Sequence, residues 1–245
     1  MRNIRLNIQY DGTNFVGWQK QKNGISVQEV IESAVSRILN QKIRLISAGR
    51  TDAGVHARQQ VANFFTTNKK ISLSEMKLGI NSLLPPDIRI ISIKQVDKKF
   101  HARFDAKFKT YRYFMYTGEV LSPFQYRYVW YIPRKLNYKI MENECKYLIG
   151  KKDFKCFQAR GSSVKSTVRN VYIASLTTRG NYMIFEIQAD GFLYKMVRLI
   201  VGTLVEVGRG KFSPGWVKYL LKGNQGYKPG PTAPPQGLFL WKVVY

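Results

Sequence analysis

Apolar and polar residues alternate over residues 2–9, where Ile4, Leu6 and Ile8 fall between Arg5, Asn7 and Gln9. A period of two puts one face in a core and the other against solvent or a ligand, so a strand is predicted. From residue 26 the period changes. Val27, Val30, Ile31, Ala34, Val35 and Ile38 recur at helical spacing behind Ser26, and Glu29 stands where a capping-box partner belongs. This predicts a capped helix covering the sheet. Alternation returns over residues 43–47 and 60–65, which read as two strands joined by a loop. Ser72 with Glu75 opens a second helix carrying Leu73, Met76 and Ile80, and Pro85 with Pro86 stops it. Ile88, Ile90, Ile93 and Val96 then mark a further strand.

The order strand, helix, strand, strand, helix, strand is that of a ferredoxin-like split βαβ unit. Residues 100–106 read as a hinge, and the chain divides into domains 1–104 and 105–245. Residues 109–116 predict a strand with aromatics on one face and Arg112 on the other, a composition suited to an RNA-facing sheet. Residues 123–133 are aromatic and carry no assignable period. A helix is predicted over 138–149, ended by Gly150, then a short turn over 153–157. Two strands follow, over 164–177 and 182–188 around Gly180 and Asn181. Residues 191–204 read as a mostly apolar helix whose central cations are Lys195 and Arg198, and a cation in such surroundings needs a partner. A short helix starts at Ser213 and Pro214, a Pro/Gly loop spans 226–235, and residues 237–245 alternate as the last strand. The second half repeats the first in broad order, with insertions, so the fold class is α+β.

Composition narrows the partner. The 245 residues are 44% hydrophobic, enough for one large or two small domains with real cores. Lys and Arg number 40 against 15 Asp and Glu, a net charge of +25 that repels itself unless a polyanion is the usual partner. Nucleic acid is the first candidate, although the lysine pairs at 69–70, 98–99 and 151–152 also fit merely solvated faces. Met1 leads directly into the first strand with no signal or transit pattern, and no apolar run approaches the ~18 residues of a membrane span. Cys145, Cys156 and two histidines are too few for a disulfide framework or a metal centre. A cytoplasmic protein without a metal is expected.

The candidate chemistry centres on residues 48–57, where Gly49 and Gly54 bracket Arg50 and Asp52. Glycine permits the turns and close approaches that hold a carboxylate at a fixed angle. An ordinary hairpin with Asp52 capping its turn is the alternative. Asp52 paired with a guanidinium such as Arg198 stays ionised, which suits a nucleophile or base at a sugar carbon better than an acid. Tyr111 is placed to stack on an extruded base, with Arg50, Arg58, Arg112 and Lys195 as candidate RNA contacts. Phe15 and Trp18 read as packing, His56 and His101 as structural, and Cys156 as a small buried hydrophobe. Walker, Rossmann, two-metal nuclease and zinc-deaminase patterns are absent from the sequence. A non-catalytic RNA-binding protein explains the charge and aromatics equally well, but binding alone needs no buried carboxylate.

Taken together the motifs resemble those of the tRNA pseudouridine synthase A family. They are Tyr10-Asp11-Gly12 with Gly17-Trp18-Gln19; Gly49-Arg50-Thr51-Asp52-Ala53-Gly54-Val55-His56; Phe100-His101-Ala102-Arg103-Phe104; Tyr111-Arg112-Tyr113; Met196-Val197-Arg198; and Thr232-Ala233-Pro234 before Gly237-Leu238. The resemblance covers nearly the whole chain. It implies an isomerase that turns uridine into pseudouridine at positions 38, 39 and 40 of the tRNA anticodon stem-loop, with no cofactor. The base leaves C1′, rotates and rejoins through C5. Asp52 matches the catalytic aspartate, which either attacks C1′ or takes the C2′ proton. Tyr111 matches the tyrosine that stacks on the target base, and Arg198 the basic partner of the aspartate. Arg50 matches the residue that fills the gap left by the flipped base. The implied fold is two ferredoxin-like halves whose mixed or antiparallel sheets join around a central basic cleft, usually as a homodimer. The chain departs from the family pattern at Pro235-Gln236 and over residues 121–131, where RNA contacts are left open. A sister specificity, for another uridine or another RNA, is the closer competitor.

Overall fold

Strand β1 (Arg2–Tyr10) is the axis of the first sheet. In this computed structural model, which describes residues 1–161 and 164–245, the chain forms two units, residues 1–107 with 239–245 and residues 108–238. The first unit runs β1, α1 (Val27–Leu39), β2 (Ile46–Ser47), β3 (His56–Thr66), α2 (Leu73–Leu83) and β4 (Ile88–Val96). β3 and β4 flank β1, both antiparallel to it, and β2 pairs antiparallel with β3. This is the strand order of the split βαβ unit. Ile4, Leu6 and Ile8 of β1 are buried with Ile31, Val35, Met76 and Ile80 of the two helices, so the predicted apolar faces form the core.

Local chemistry explains where the elements differ from the sequence pattern. Ser72 and Glu75 form a complete capping box. At α1 only half of the predicted box exists. Ser26 accepts from the Glu29 N–H at 3.2 Å, but the Glu29 carboxylate turns to Lys20 at 2.9 Å. The strand predicted over 43–47 shrinks to Ile46–Ser47, because α1 side chains take the backbone donors before it. The Ile43 N–H goes to Ser36 Oγ at 3.0 Å and the Leu45 N–H to Glu32 Oε1 at 2.8 Å.

The second unit runs β5 (Phe108–Tyr116), β6 (Trp130–Tyr131), α3 (Tyr138–Lys146), β7 (Gly150–Asp153), β8 (Val168–Arg179), β9 (Tyr182–Ala189), α4 (Met196–Gly208) and α5 (Trp216–Leu221). β5, β9, β8 and β7 lie side by side, each pair antiparallel. β6 pairs parallel with the end of β5 and gives the unassigned stretch 123–133 its one regular segment. α3 ends before the predicted 149, since Tyr147 and Leu148 donate to the carbonyls three residues back and tighten the turn. The predicted turn over 153–157 is a 3₁₀ segment at Lys155–Phe157, preceded by β7, a strand the pattern did not predict. The apolar helix predicted over 191–204 begins at Met196 and runs to Gly208, so Lys195 stands before the helix, not inside it. Its φ is 58°, a left-handed conformation incompatible with a helical turn there.

The last strand, β10 (Leu238–Val244), runs parallel to β3, with Phe239 opposite His56. Residues 239–245 therefore sit in the first unit, although a boundary between 104 and 105 assigns them to the second half. Both units are α+β. No helix among the described residues is long and apolar enough to cross a membrane.

Candidate active site

The loop between β2 and β3 carries Asp52 and is tied at its start to β3. Ala48 N–H donates to the Val61 carbonyl at 2.8 Å, and Gln60 Nε2 donates to the Gly49 carbonyl at 2.8 Å. Gly54 turns the chain with a φ of 75°, and the Val55 N–H closes onto the Asp52 carbonyl at 3.2 Å. Asp52 itself is partly exposed, so the expectation of a buried carboxylate is corrected.

Residues 10–18 brace this loop from beneath. Trp18 N–H donates to the Thr51 carbonyl at 3.1 Å, and the Tyr10 and Thr51 hydroxyls share a hydrogen bond of 2.8 Å. A Cβ on Gly12 would lie 2.0 Å from the Val55 carbonyl oxygen, and one on Gly17 2.7 Å from that of Thr51. Only glycine lets the two backbones approach so closely. Trp18 is 1% exposed and Phe15 is also buried, as their reading as packing residues requires. His56 Nδ1 accepts the Gly12 N–H at 3.0 Å, so it orients backbone, while the Asp11 carboxylate lies 3.1 Å away as an ion-pair partner on protonation. Its ring stacks on Phe239 at 4.6 Å.

In the second unit Tyr111 lies on β5, buried, with its ring edge-on to Phe192 at 4.9 Å. Arg198 is the one residue of α4 that is not buried. Its Nε donates to the Ala233 carbonyl at 2.7 Å, and the Ala233 N–H donates back to the Arg198 carbonyl at 3.1 Å. Residues 230–234 can reach it because α4 presents Gly202 there. A Cβ at that position would lie 1.7 Å from the Pro231 carbonyl oxygen. Gly230 N–H also donates to Thr203 Oγ1 at 2.8 Å. Tyr113 donates to the Pro234 carbonyl at 2.8 Å; burial pushes its phenol upward and the Arg198 charge offsets part of that rise. The roles of Ala233, Gly202 and Tyr113 were not legible in the sequence beyond the Thr-Ala-Pro motif.

The remaining predicted contacts are dispersed. Arg50 and Arg58 are exposed, and Arg58 lies over the Trp241 ring at 4.3 Å. Arg112 faces Glu186 across the β5–β9 ladder and forms a close Nε–carboxylate ion pair with it. Lys195 sits over the Tyr194 ring at 5.2 Å. His101 Nδ1 accepts the N–H groups of Arg103 and Phe104, each at 3.2 Å, so it too orients backbone. Cys156 is half-buried, and burial pushes its thiol up to about 11, which leaves no thiolate nucleophile there. No cluster of metal-ligating side chains occurs among the described residues.

The loop carrying Asp52 is tied by backbone hydrogen bonds within the first unit, while in the second Arg198 is gripped by the Ala233 carbonyl and Tyr111 lies on β5. A family model described as tRNA pseudouridine synthase matches residues 7–105 and 145–245. A tRNA pseudouridine synthase A from Thermoanaerobacter sp. (strain X514) is 46% identical over 245 residues, covering 100% of both chains. One from Clostridium kluyveri is 44% identical over the same full length, again 100% of both. Among solved structures, a chain in the crystal structure of a Cbf5-Nop10-Gar1 complex is similar with a TM-score of 0.40 and 12% identity, over 97% of this chain and 49% of that one.

Proposed function

This chain belongs to the tRNA pseudouridine synthase family, isomerases of tRNA uridine, and on that premise we propose that it acts at positions 38, 39 and 40 of the anticodon stem-loop. Asp52 is the essential group. The C1′–N1 bond breaks, the uracil rotates, C5 bonds to C1′, and the C5 proton leaves to solvent while N1 takes one up, so the atoms balance as an isomerisation. Attack on C1′ and removal of the C2′ proton both require an ionised carboxylate with a fixed direction. The observation that carries this role is the bracing of the Asp52 loop by Tyr10, Gly12, Gly17 and Trp18, which holds the loop backbone in place.

Tyr111 stacks on the extruded base and Arg198 serves as the cationic partner of Asp52, while Arg50, Arg58, Arg112 and Lys195 contact the RNA. The motif resemblance supports these roles, and the Ala233 clasp supports a directed guanidinium. The same resemblance supports a homodimer in the cytoplasm working without cofactor, which sedimentation of the purified chain tests. The direct test of the activity is tritium release from C5-labelled uridine in unmodified tRNA, followed by mapping of the modified positions. Release with modification confined to 38, 39 and 40 is expected; modification elsewhere would replace the proposed specificity.

A further inference from the structure

Two β-bulges flank the end of β1. On the β3 side Ile8 pairs with Gln60 and Tyr10 with Ala57, so Arg58 and Gln59 together face the single residue Gln9. On the β4 side Asn7 pairs with Ser92 and Ile8 with Ile90, which leaves Ile91 as the extra residue. Bulges re-aim side chains and gather beside functional sites. Between these two lies an open pocket of about 350 Å³, lined by Asn7, Gln9, Arg58, Gln59, Ile91, Trp241 and Lys242 among others.

The chemistry of this pocket is specific. The Arg58 guanidinium rests 4.3 Å over the Trp241 ring and is itself exposed, so one face of a flat cation is backed and the other presented. Asn7 Nδ2 donates to Ser92 Oγ at 2.8 Å, which fixes the amide, while the buried Asn7 Oδ1 has no hydrogen-bond partner among the described residues. That oxygen is closed off from solvent, so the groups open to a ligand are those of the side chains around it. Gln9 and Gln59 add amide groups able to give and accept, and Lys242 adds an exposed cation. A flat π-face bearing N–H groups at its edge and a phosphate beside it satisfies each of these features. That is a nucleotide.

We propose that this pocket takes one unpaired nucleobase of the tRNA, other than the uridine being isomerised. The base stacks on Arg58 with Trp241 behind it, meets the Gln59 amide at its edge and sets its phosphate near Lys242. The inference rests on the family reading that the substrate is tRNA. Arg58 follows Asp52 by six positions, so at most about 22 Å parts their Cα atoms, a distance that one bound RNA spans.

The test is equilibrium binding of an unmodified tRNA transcript to the full chain, wild type against Arg58→Lys and Gln59→Leu, over a series of salt concentrations. Lysine keeps the charge and loses the plane. Arg58→Lys is expected to bind about tenfold more weakly with the slope of log Kd against log salt unchanged, as fits a lost stack with every phosphate contact kept. Gln59→Leu is expected to weaken binding with the same slope. Arg58→Lys binding like wild type, or a slope reduced by about one, would make Arg58 a phosphate contact and overturn the base pocket. Gln59→Leu binding like wild type overturns the edge contact and the proposal with it. A changed sedimentation coefficient of Arg58→Lys without RNA would assign the pocket to a protein interface. If wild type binds with the expected variant pattern yet releases no tritium from labelled tRNA, the activity reading fails and the pocket stands.

Discussion

Arg198 and Ala233 hold each other through two hydrogen bonds, the Ala233 N–H to the Arg198 carbonyl at 3.1 Å and Arg198 Nε to the Ala233 carbonyl at 2.7 Å. With Nε committed, the planar guanidinium has a fixed direction and its remaining donors form a preset fork. The segment making this clasp reaches α4 only over Gly202, where a Cβ would lie 1.7 Å from the Pro231 carbonyl oxygen.

Gly202→Ala therefore moves residues 230–234 outward and spoils the aim of Arg198. Overpacking of this kind costs about 1–3 kcal/mol, and each kcal/mol lowers Tm by about 2–4 °C in a chain of this size. A misplacement near 1 Å at a reacting site costs on the order of a hundredfold in kcat. Thermal melting and tritium-release kinetics on the same preparation check both parts. A lowered Tm with wild-type kcat would make the crossing a purely structural contact.

Asp52→Asn is isosteric and leaves the backbone contacts that brace the loop in place, so the fold and the melting temperature are expected to hold. Turnover is expected to fall by about a thousandfold or more, the scale of losing a nucleophile or base. Affinity for tRNA is expected to persist, because phosphate contacts dominate it. Residual turnover near wild type in a single-turnover assay would remove Asp52 from the chemistry.

Elements whose stability is local were readable from sequence. α2 announces itself through its complete capping box and its Pro85-Pro86 stop, and β1 through its alternation of Ile4, Leu6 and Ile8 with polar residues. β7 was not readable: Gly-Lys-Lys-Asp has no apolar period, and its strand state comes from the ladder with β8. α4 was misplaced at its start because residues 191–195 fit a helical apolar pattern while Lys195 adopts a left-handed conformation. At the site, sequence singled out Asp52, Tyr111, Arg198 and the Thr232-Ala233-Pro234 motif, yet no spacing rule links Ala233 to Arg198. That clasp is a tertiary fact, as is the stacking of Arg58 on Trp241.

The Tyr10 hydroxyl meets the buried Thr51 hydroxyl at 2.8 Å, next to Asp52. Burial pushes the Tyr10 phenol well above its usual range, offset in part by hydrogen bonds from Thr51 and Gln60, so it stays protonated at working pH. Tyr10→Phe leaves a buried hydroxyl unsatisfied and is expected to cost about 1–3 kcal/mol in urea denaturation. Tyr10→Phe with Thr51→Val removes both partners and is expected to recover part of that loss. Strict additivity of the two substitutions would show that the hydrogen bond contributes nothing to bracing the loop.

If Arg198 and Asp52 serve the same step, their losses cannot add. Arg198→Met removes both the charge and the Nε that grips Ala233, and is expected to cut kcat by about a hundredfold, within the range of removing one electrostatic stabiliser. Arg198→Lys keeps a charge without the planar fork and is expected to recover little of that loss, since a lysine cannot grip the Ala233 carbonyl and present directed donors together. In the Asp52→Asn background, Arg198→Met is expected to have almost no further effect, because groups acting as a unit show grossly non-additive losses. Single-turnover rates of the four proteins, wild type, both single variants and the double variant, supply the cycle. A double variant slower than Asp52→Asn by the full factor of Arg198→Met would mean that the two residues contribute separately. Arg198 would then belong with the RNA contacts and not with the carboxylate.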